Sequence, residues 1–128
     1  MSRAYARIKK NCSIAKQLAA RPALDFGGAF FTVAVKEGTS ERVHLDFNDD
    51  EDGVSWVIPL GEWEGGEFCV PQLNEKIPIC AGQALAGMVR ILVHSSAPVK
   101  KGRRLILTLF SDKTLLKHSD QWRGHYIL

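Results

Sequence analysis

Residues 42–60 read "RVHLDFNDDEDGVSWVIPL". Two runs rich in Val, Ile, Leu and aromatic residues flank "NDDEDG". That cluster favours a tight turn, because Asn, Asp and Gly tolerate left-handed backbone and make local side-chain turns. Strand, turn, strand is the reading, and the same grammar continues outward on both sides. Strands are expected at 28–36, 42–47, 54–60, 66–70, 76–80, 83–89, 91–95 and 104–110. The joints "EGTSE", "NDDEDG", "GEWEG", "PQLNE", "AG" and "SAPVKKGR" carry the turn-formers. Eight short strands with regular turns predict a mainly β sandwich or jelly roll. Pro59 and Pro78 fall inside two of them, which predicts edge or bulged strands there, since proline donates nothing to a ladder.

Ahead of the strands, Tyr5, Ile8, Cys12, Ala15 and Ala19 step by three and four. That spacing predicts a helix over 3–20, packed outside a sheet and ended by Pro22. The tail 113–128 reads as a short helix around 112–118 and then irregular chain. At 128 residues, 45% hydrophobic and 24% charged, the chain is expected to be one domain able to bury a core. No run of 18 apolar residues exists, so no membrane span is expected. Cys12, Cys69 and Cys80 are odd in number and lack CxxC spacing, which points to a reducing, intracellular compartment.

The net charge of +3 hides a segregation. Residues 1–24 hold six Lys/Arg and no acid, and residues 37–75 hold eleven acids and one base, Arg42. Residues 76–128 hold nine bases and two acids. The bland reading is solvated faces; the sharper one is a basic rim for a polyanion.

Side chains alternate along a strand, so His44 and Asp46 are expected on one face, about 6.6 Å apart along the backbone. An imidazole and a carboxylate so placed supply two of the three ligands of a 2-His-1-carboxylate site. His94 ends the seventh expected strand. In a jelly roll the second and seventh strands are neighbours, so His94 can complete the set. Arg104 opens the last strand ten residues later, and Thr108 shares its parity; Arg103 has the opposite parity and is expected in solvent.

The ordered set "HLD…GGEF…PICAGQALAG…VH…RRLILTLF" resembles the double-stranded β-helix core of the Fe(II)/2-oxoglutarate dioxygenases, over roughly residues 28–112. More narrowly, "HLDFNDDEDGVSWVIPLGEWEGGEFCVPQL" looks like the fungal TET/J-binding-protein-like oxygenase domains. The resemblance implies a cupin-like jelly roll, to which the periodicity above adds an N-terminal helix, and an oxidoreductase using Fe(II), 2-oxoglutarate and O2. His44, Asp46 and His94 would be the metal ligands. Arg104, with Thr108, would hold the distal carboxylate of 2-oxoglutarate. The implied substrate is a modified, 5-methylpyrimidine-like nucleobase in nucleic acid, which would place the protein in the nucleus. Lys9, Lys10, Lys100, Lys101 and Arg103 are the expected nucleic-acid contacts. The alternatives are a protein or small-molecule hydroxylase of the same superfamily and a non-enzymatic or truncated cupin-like binding module. The short stretch ahead of the first core strand speaks for truncation; the intact residue set speaks against decay.

Other features carry bland readings. His118 and His125 are expected at the surface, and Cys69 and Cys80 as buried small hydrophobes. Trp56 is expected in the core. The acidic loop 49–52 is expected to be solvated, and carboxylates there would repel a nucleic-acid backbone. "GEWEGGEF" is not a phosphate loop, lacking the Lys-Ser/Thr ending and a following helix.

Overall fold

The structure is a computed structural model and describes residue 30, residues 32–38 and 41–114, and residue 117. The expected helix over 3–20, with Lys9, Lys10 and Cys12, and the tail with His118, Trp122 and His125 lie outside the described residues. Of the short helix expected around 112–118, Lys113, Thr114 and Lys117 are helical, while residues 115, 116 and 118 lie outside the described residues.

Eight strands form, each overlapping an expected one: β1 (Thr32–Glu37), β2 (Glu41–His44), β3 (Ser55–Gly65), β4 (Phe68–Val70), β5 (Glu75–Ile77), β6 (Leu85–Gly87), β7 (His94–Ser96) and β8 (Val99–Phe110). The expected strand 91–95 is shifted: residues 91 and 92 are turn and bend, and His94 opens β7 instead of ending it. They pair antiparallel in two four-stranded sheets, ordered β1-β8-β3-β6 and β2-β7-β4-β5, the strand order of a jelly roll. A single 3₁₀ turn, Pro71–Leu73, joins β4 to β5 and closes with Asn74 in the left-handed region at φ 53°. Asparagine is one of the few non-glycine residues that adopts this backbone at low cost.

The sequence reading and the structure part company at the longest ladder. β3 runs on through Gly65 and β8 begins at Val99, so "GEWEG" and "VKKGR" are strand rather than turn. Glu62 lies opposite Arg103, Trp63 opposite Gly102 and Glu64 opposite Lys101. The glycines misled the reading because they serve as bends inside a paired ribbon. Gly102 has φ +81°, and a Cβ there would strike the Glu62 carbonyl. Pro59 is likewise not in an edge strand: β3 lies between β8 and β6. It is tolerated because β6 pairs with β3 only over Ser55–Val57 and has ended before Pro59. Pro78 follows β5, a true edge strand, as expected.

The register puts Ala34, Thr108 and Val57 on one row of the inner face, and Lys36, Ile106 and Pro59 on the next. The outer face of the same sheet is also apolar, through Val35, Trp56, Leu60 and Leu105, all exposed. Trp56 is therefore not a core residue; it sits on the outward parity of β3, with 39% of its surface accessible. Cys80 also departs from expectation and is exposed beyond β5, while Cys69 is half-buried. Among the described apolar side chains only Val70, Val89 and Pro59 are buried outright. Space between the sheets remains open as a cavity of about 510 Å³, a size that suits a small ligand.

Candidate metal centre

β2 and β7 pair with His44 directly opposite His94. Directly opposed residues project from the same face, so the register brings two imidazoles together, their ring centroids 4.3 Å apart. Phe68 stacks on His94 at 5.2 Å and 17°, closing off its far side. Asp46 lies two residues past the end of β2 rather than within a strand. It reaches the same point because its N–H donates to the Val89 carbonyl at 3.1 Å and its own carbonyl accepts from the Asp49 N–H at 3.0 Å.

The donor atoms converge. His44 Nε2 is 3.2 Å from Asp46 Oδ1, and His94 Nε2 is 3.6 Å from Asp46 Oδ2. One ligand atom from each residue lies within 4.8 Å of the others. The backbone decides the tautomers. His44 Nδ1 is 2.7 Å from the Arg42 carbonyl and His94 Nδ1 is 2.9 Å from the Leu92 carbonyl. A carbonyl only accepts, so each Nδ1 must carry the proton. In the neutral rings each Nε2 then turns a lone pair toward a carboxylate that is itself acceptor-only. Three acceptors facing one point repel unless a cation stands among them. Two neutral imidazoles and a carboxylate, with Nδ1–H held by backbone carbonyls, are the donor set and outer-shell pattern of a divalent transition-metal site. The residues fit such an ion.

The acidic loop is not simply solvated. Asp49 and Asp50 are 6% and 8% exposed. The Ser55 hydroxyl donates to Asp49 Oδ2 at 2.5 Å, and the Asp50 N–H donates to the Ser111 carbonyl at 3.1 Å. Asp49 also bridges to Asp112. These contacts fasten the loop that carries Asp46 to the start of β3 and the end of β8. Burial pushes the Asp49 carboxyl above its ordinary range; the Ser55 hydrogen bond and His94 oppose this, while Asp46 and Asp112 add to it.

At the other end of the cavity stands Arg104, 4% exposed. Its guanidinium donates to the Gly66 carbonyl and, at 2.6 Å, to the Ser96 hydroxyl. These two bonds orient the fork. Gly66 is required here: at φ +72° a Cβ would lie 2.8 Å from Arg104 Cζ. Thr108 lines the cavity on the same row parity as Arg104. Arg103 faces out, as its parity predicts, and its Nε donates to Glu37 at 2.7 Å. Lys101 meets Glu64 at 3.2 Å, so two members of the basic run are matched by acids. Lys100 is exposed. Sequence reasoning missed Ser96, the Gly66 carbonyl as an acceptor for Arg104, and the Asp49–Ser55 clasp. Only the "GGEF" glycines carried a signal for any of these.

No family model matches the sequence, and no curated protein matches it. Solved structures do. NgTET1 in complex with 5mC DNA matches with a TM-score of 0.64 and 16% identity, over 91% of this chain and 55% of that one. The viral collagen prolyl hydroxylase vCPH from Paramecium Bursaria Chlorella virus-1, as its 2OG complex, matches with a TM-score of 0.47 and 19% identity. That match covers 77% of this chain and 67% of the hydroxylase. The chain thus spans about half the length of the NgTET1 chain, and the likeness is one of fold.

Proposed function

We propose that this chain is an Fe(II)- and 2-oxoglutarate-dependent dioxygenase that oxidises a 5-methylpyrimidine-like base in nucleic acid. The observation that carries the reaction class is the convergence of His44 Nε2, His94 Nε2 and the Asp46 carboxylate, with both tautomers fixed by backbone carbonyls. His44, Asp46 and His94 would hold the iron. When bound, the metal supplies dioxygen chemistry that couples decarboxylation of 2-oxoglutarate to succinate with oxidation of the substrate.

The chain's own residues do the positioning. Arg104 offers a planar, buried cation inside the cavity, suited to the distal carboxylate of 2-oxoglutarate. Ser96 and the Gly66 carbonyl keep its plane fixed, so little is lost in ordering the side chain when the anion binds. Thr108 adds a hydroxyl on the same face. Phe68 and the paired β2 and β7 hold His94 dry, at 5% side-chain exposure. The nucleobase substrate is supported by the family resemblance in the sequence and by the fold shared with NgTET1, whose structure contains 5mC DNA. A nuclear location would follow from that substrate.

A specific observation favours a second reading, a protein or small-molecule hydroxylase. Lys101 and Arg103 are matched by Glu64 and Glu37, and the loop beside the cavity is acidic. Succinate release decides between the readings. With Fe(II) and 2-oxoglutarate, oligonucleotides containing 5-methylcytosine are expected to raise succinate formation above the substrate-free rate. Stimulation by peptides or small molecules alone would establish the second reading.

A further inference from the structure

Phe47 directly follows Asp46, borders the cavity and is 62% exposed. It is the more open of the two exposed aromatics among the described residues, Trp56 being 39% exposed, and it alone of these borders the cavity. It is not on a loose tip. The Phe47 carbonyl accepts from Lys113 Nζ at 2.6 Å, and the preceding N–H is tied to Val89. The Arg90 guanidinium carbon stands over the ring, 5.0 Å from its centroid. Arg90 Nη2 meets Glu51 at 3.3 Å, while its buried Nη1 has no hydrogen-bond partner among the described residues. Among the described residues this arginine serves the ring and one carboxylate. No other ring contact involves Phe47 among the described residues.

We propose that Phe47, backed by Arg90, is a platform at the mouth of the cavity on which a base of the substrate strand stacks. This rests on the nucleic-acid reading above. The local charge decides which part of a nucleic acid can come here. Glu51 is exposed beside Arg90, and Asp52 is next to it in the chain. Carboxylates repel phosphates. The π-face of a base carries no net charge, so an aromatic ring in acidic surroundings recruits bases and leaves the backbone turned away. The arginine holds the ring by cation–π attraction, which presets the stacking surface before the strand arrives. Stacking is tolerant of base identity, so the platform contributes affinity and placement, and the choice of the modified base is left to the cavity.

The test is fluorescence-anisotropy binding of a labelled single-stranded 5-methylcytosine oligonucleotide to the full chain loaded with Mn(II) and 2-oxoglutarate, alongside KM and kcat with Fe(II). Phe47→Ala is expected to weaken binding about ten-fold or more, the scale of one lost base stack, and to raise KM more than it lowers kcat. Phe47→Trp is expected to bind as wild type, and Phe47→Leu to bind as weakly as the alanine variant. Arg90→Gln is expected to fall between. Calorimetric Mn(II) affinity of each variant reports whether Asp46 has been disturbed; retained affinity with weakened binding places the loss at the platform. If Phe47→Leu binds like wild type, or Phe47→Ala does so while the wild type oxidises the oligonucleotide, the platform is wrong and the substrate class stands. If the wild type neither binds nor oxidises any oligonucleotide, the substrate reading falls and the platform falls with it.

Discussion

A single carboxylate sets the character of the site. Asp46 stands between two imidazoles whose protons are committed elsewhere, so its charge is balanced by whatever cation occupies the gap. Asp46→Asn removes that charge with little change of shape. It is expected to lower Mn(II) affinity by more than about 100-fold, the upper end of the loss for an outer-shell partner, as read by calorimetry. His44→Ala and His94→Ala should abolish binding in the same assay. Asp49 acts differently, because burial raises its carboxyl pKa. A carboxyl that holds its proton more tightly in the fold than in the unfolded chain stabilises below its unfolded pKa. That contribution is lost as pH rises through the window up to its folded pKa. In chelator-stripped protein, urea stability should therefore fall across that window. Asp49→Asn, which can still accept from Ser55, should remove the fall and be the more stable variant at neutral pH. A neutral-pH stability no higher than wild type would contradict the assigned burial cost.

Elements determine which of two adjacent arginines enters the cavity. β8 pairs with β3 over nearly its whole length, and strand alternation then separates Arg104 from Arg103 completely. Arg104 is 4% exposed, whereas the Arg103 side chain is 81% exposed and paired with Glu37 across β1. Arg104→Ala is expected to cost about 2–5 kcal/mol of 2-oxoglutarate binding, as for a truncated, desolvated charged partner. Arg103→Ala removes only a solvent-exposed pair with Glu37 and no cosubstrate contact, so it should leave 2-oxoglutarate binding unchanged. Equal losses in a 2-oxoglutarate titration would contradict this placement. The β3–β4 joint bears on the same contact. Gly66→Ala puts a Cβ against the Arg104 guanidinium at a positive φ. It should weaken 2-oxoglutarate as well as lower thermal stability, while Mn(II) binding at His44, Asp46 and His94 persists.

Over the described residues as a whole, two sheets hold a cavity open between the His44–Asp46–His94 cluster and an arginine end. His44, Asp46 and His94 come from β2, the loop after it and β7; Arg104 comes from β8. The charge segregation of the chain does not become a simple basic face. Among the described residues Lys101 and Arg103 are engaged by acids, and the loop at 49–52 is partly buried by hydrogen bonds. Oligonucleotide affinity should accordingly depend only shallowly on salt. Each phosphate contact contributes a log–log slope of about −0.7 to −0.9, and Lys101→Ala should leave the slope unchanged. A steep slope that Lys101→Ala or Arg103→Ala flattens would show these residues released from their acids by the ligand. Lys9→Glu and Lys10→Glu should flatten the slope if the acid-free N-terminal segment meets phosphates.

Much of this protein was legible in one dimension. Turn residues between short β-branched runs yielded eight strands and a jelly-roll order, because local backbone preference and burial period act over a few residues. His44, Asp46, His94 and Arg104 were legible as a set through their spacing and their resemblance to a known family. What the chain alone could not show were the effects that depend on who lies opposite whom. Glycines at 61, 65 and 102 read as turns, yet the β3–β8 ladder carries through them, since pairing outweighs local permissiveness. Asp49 and Asp50 read as a solvated acidic run, yet both are buried in the fold, where Asp49 accepts from the Ser55 hydroxyl and the Asp50 N–H donates to the Ser111 carbonyl. Trp56 read as core because it lies inside a strand. Both faces of its sheet are apolar, and only the register told the inner from the outer. The tautomers of both histidines, and hence the direction of their lone pairs, were decided by carbonyls that only the folded backbone places within reach.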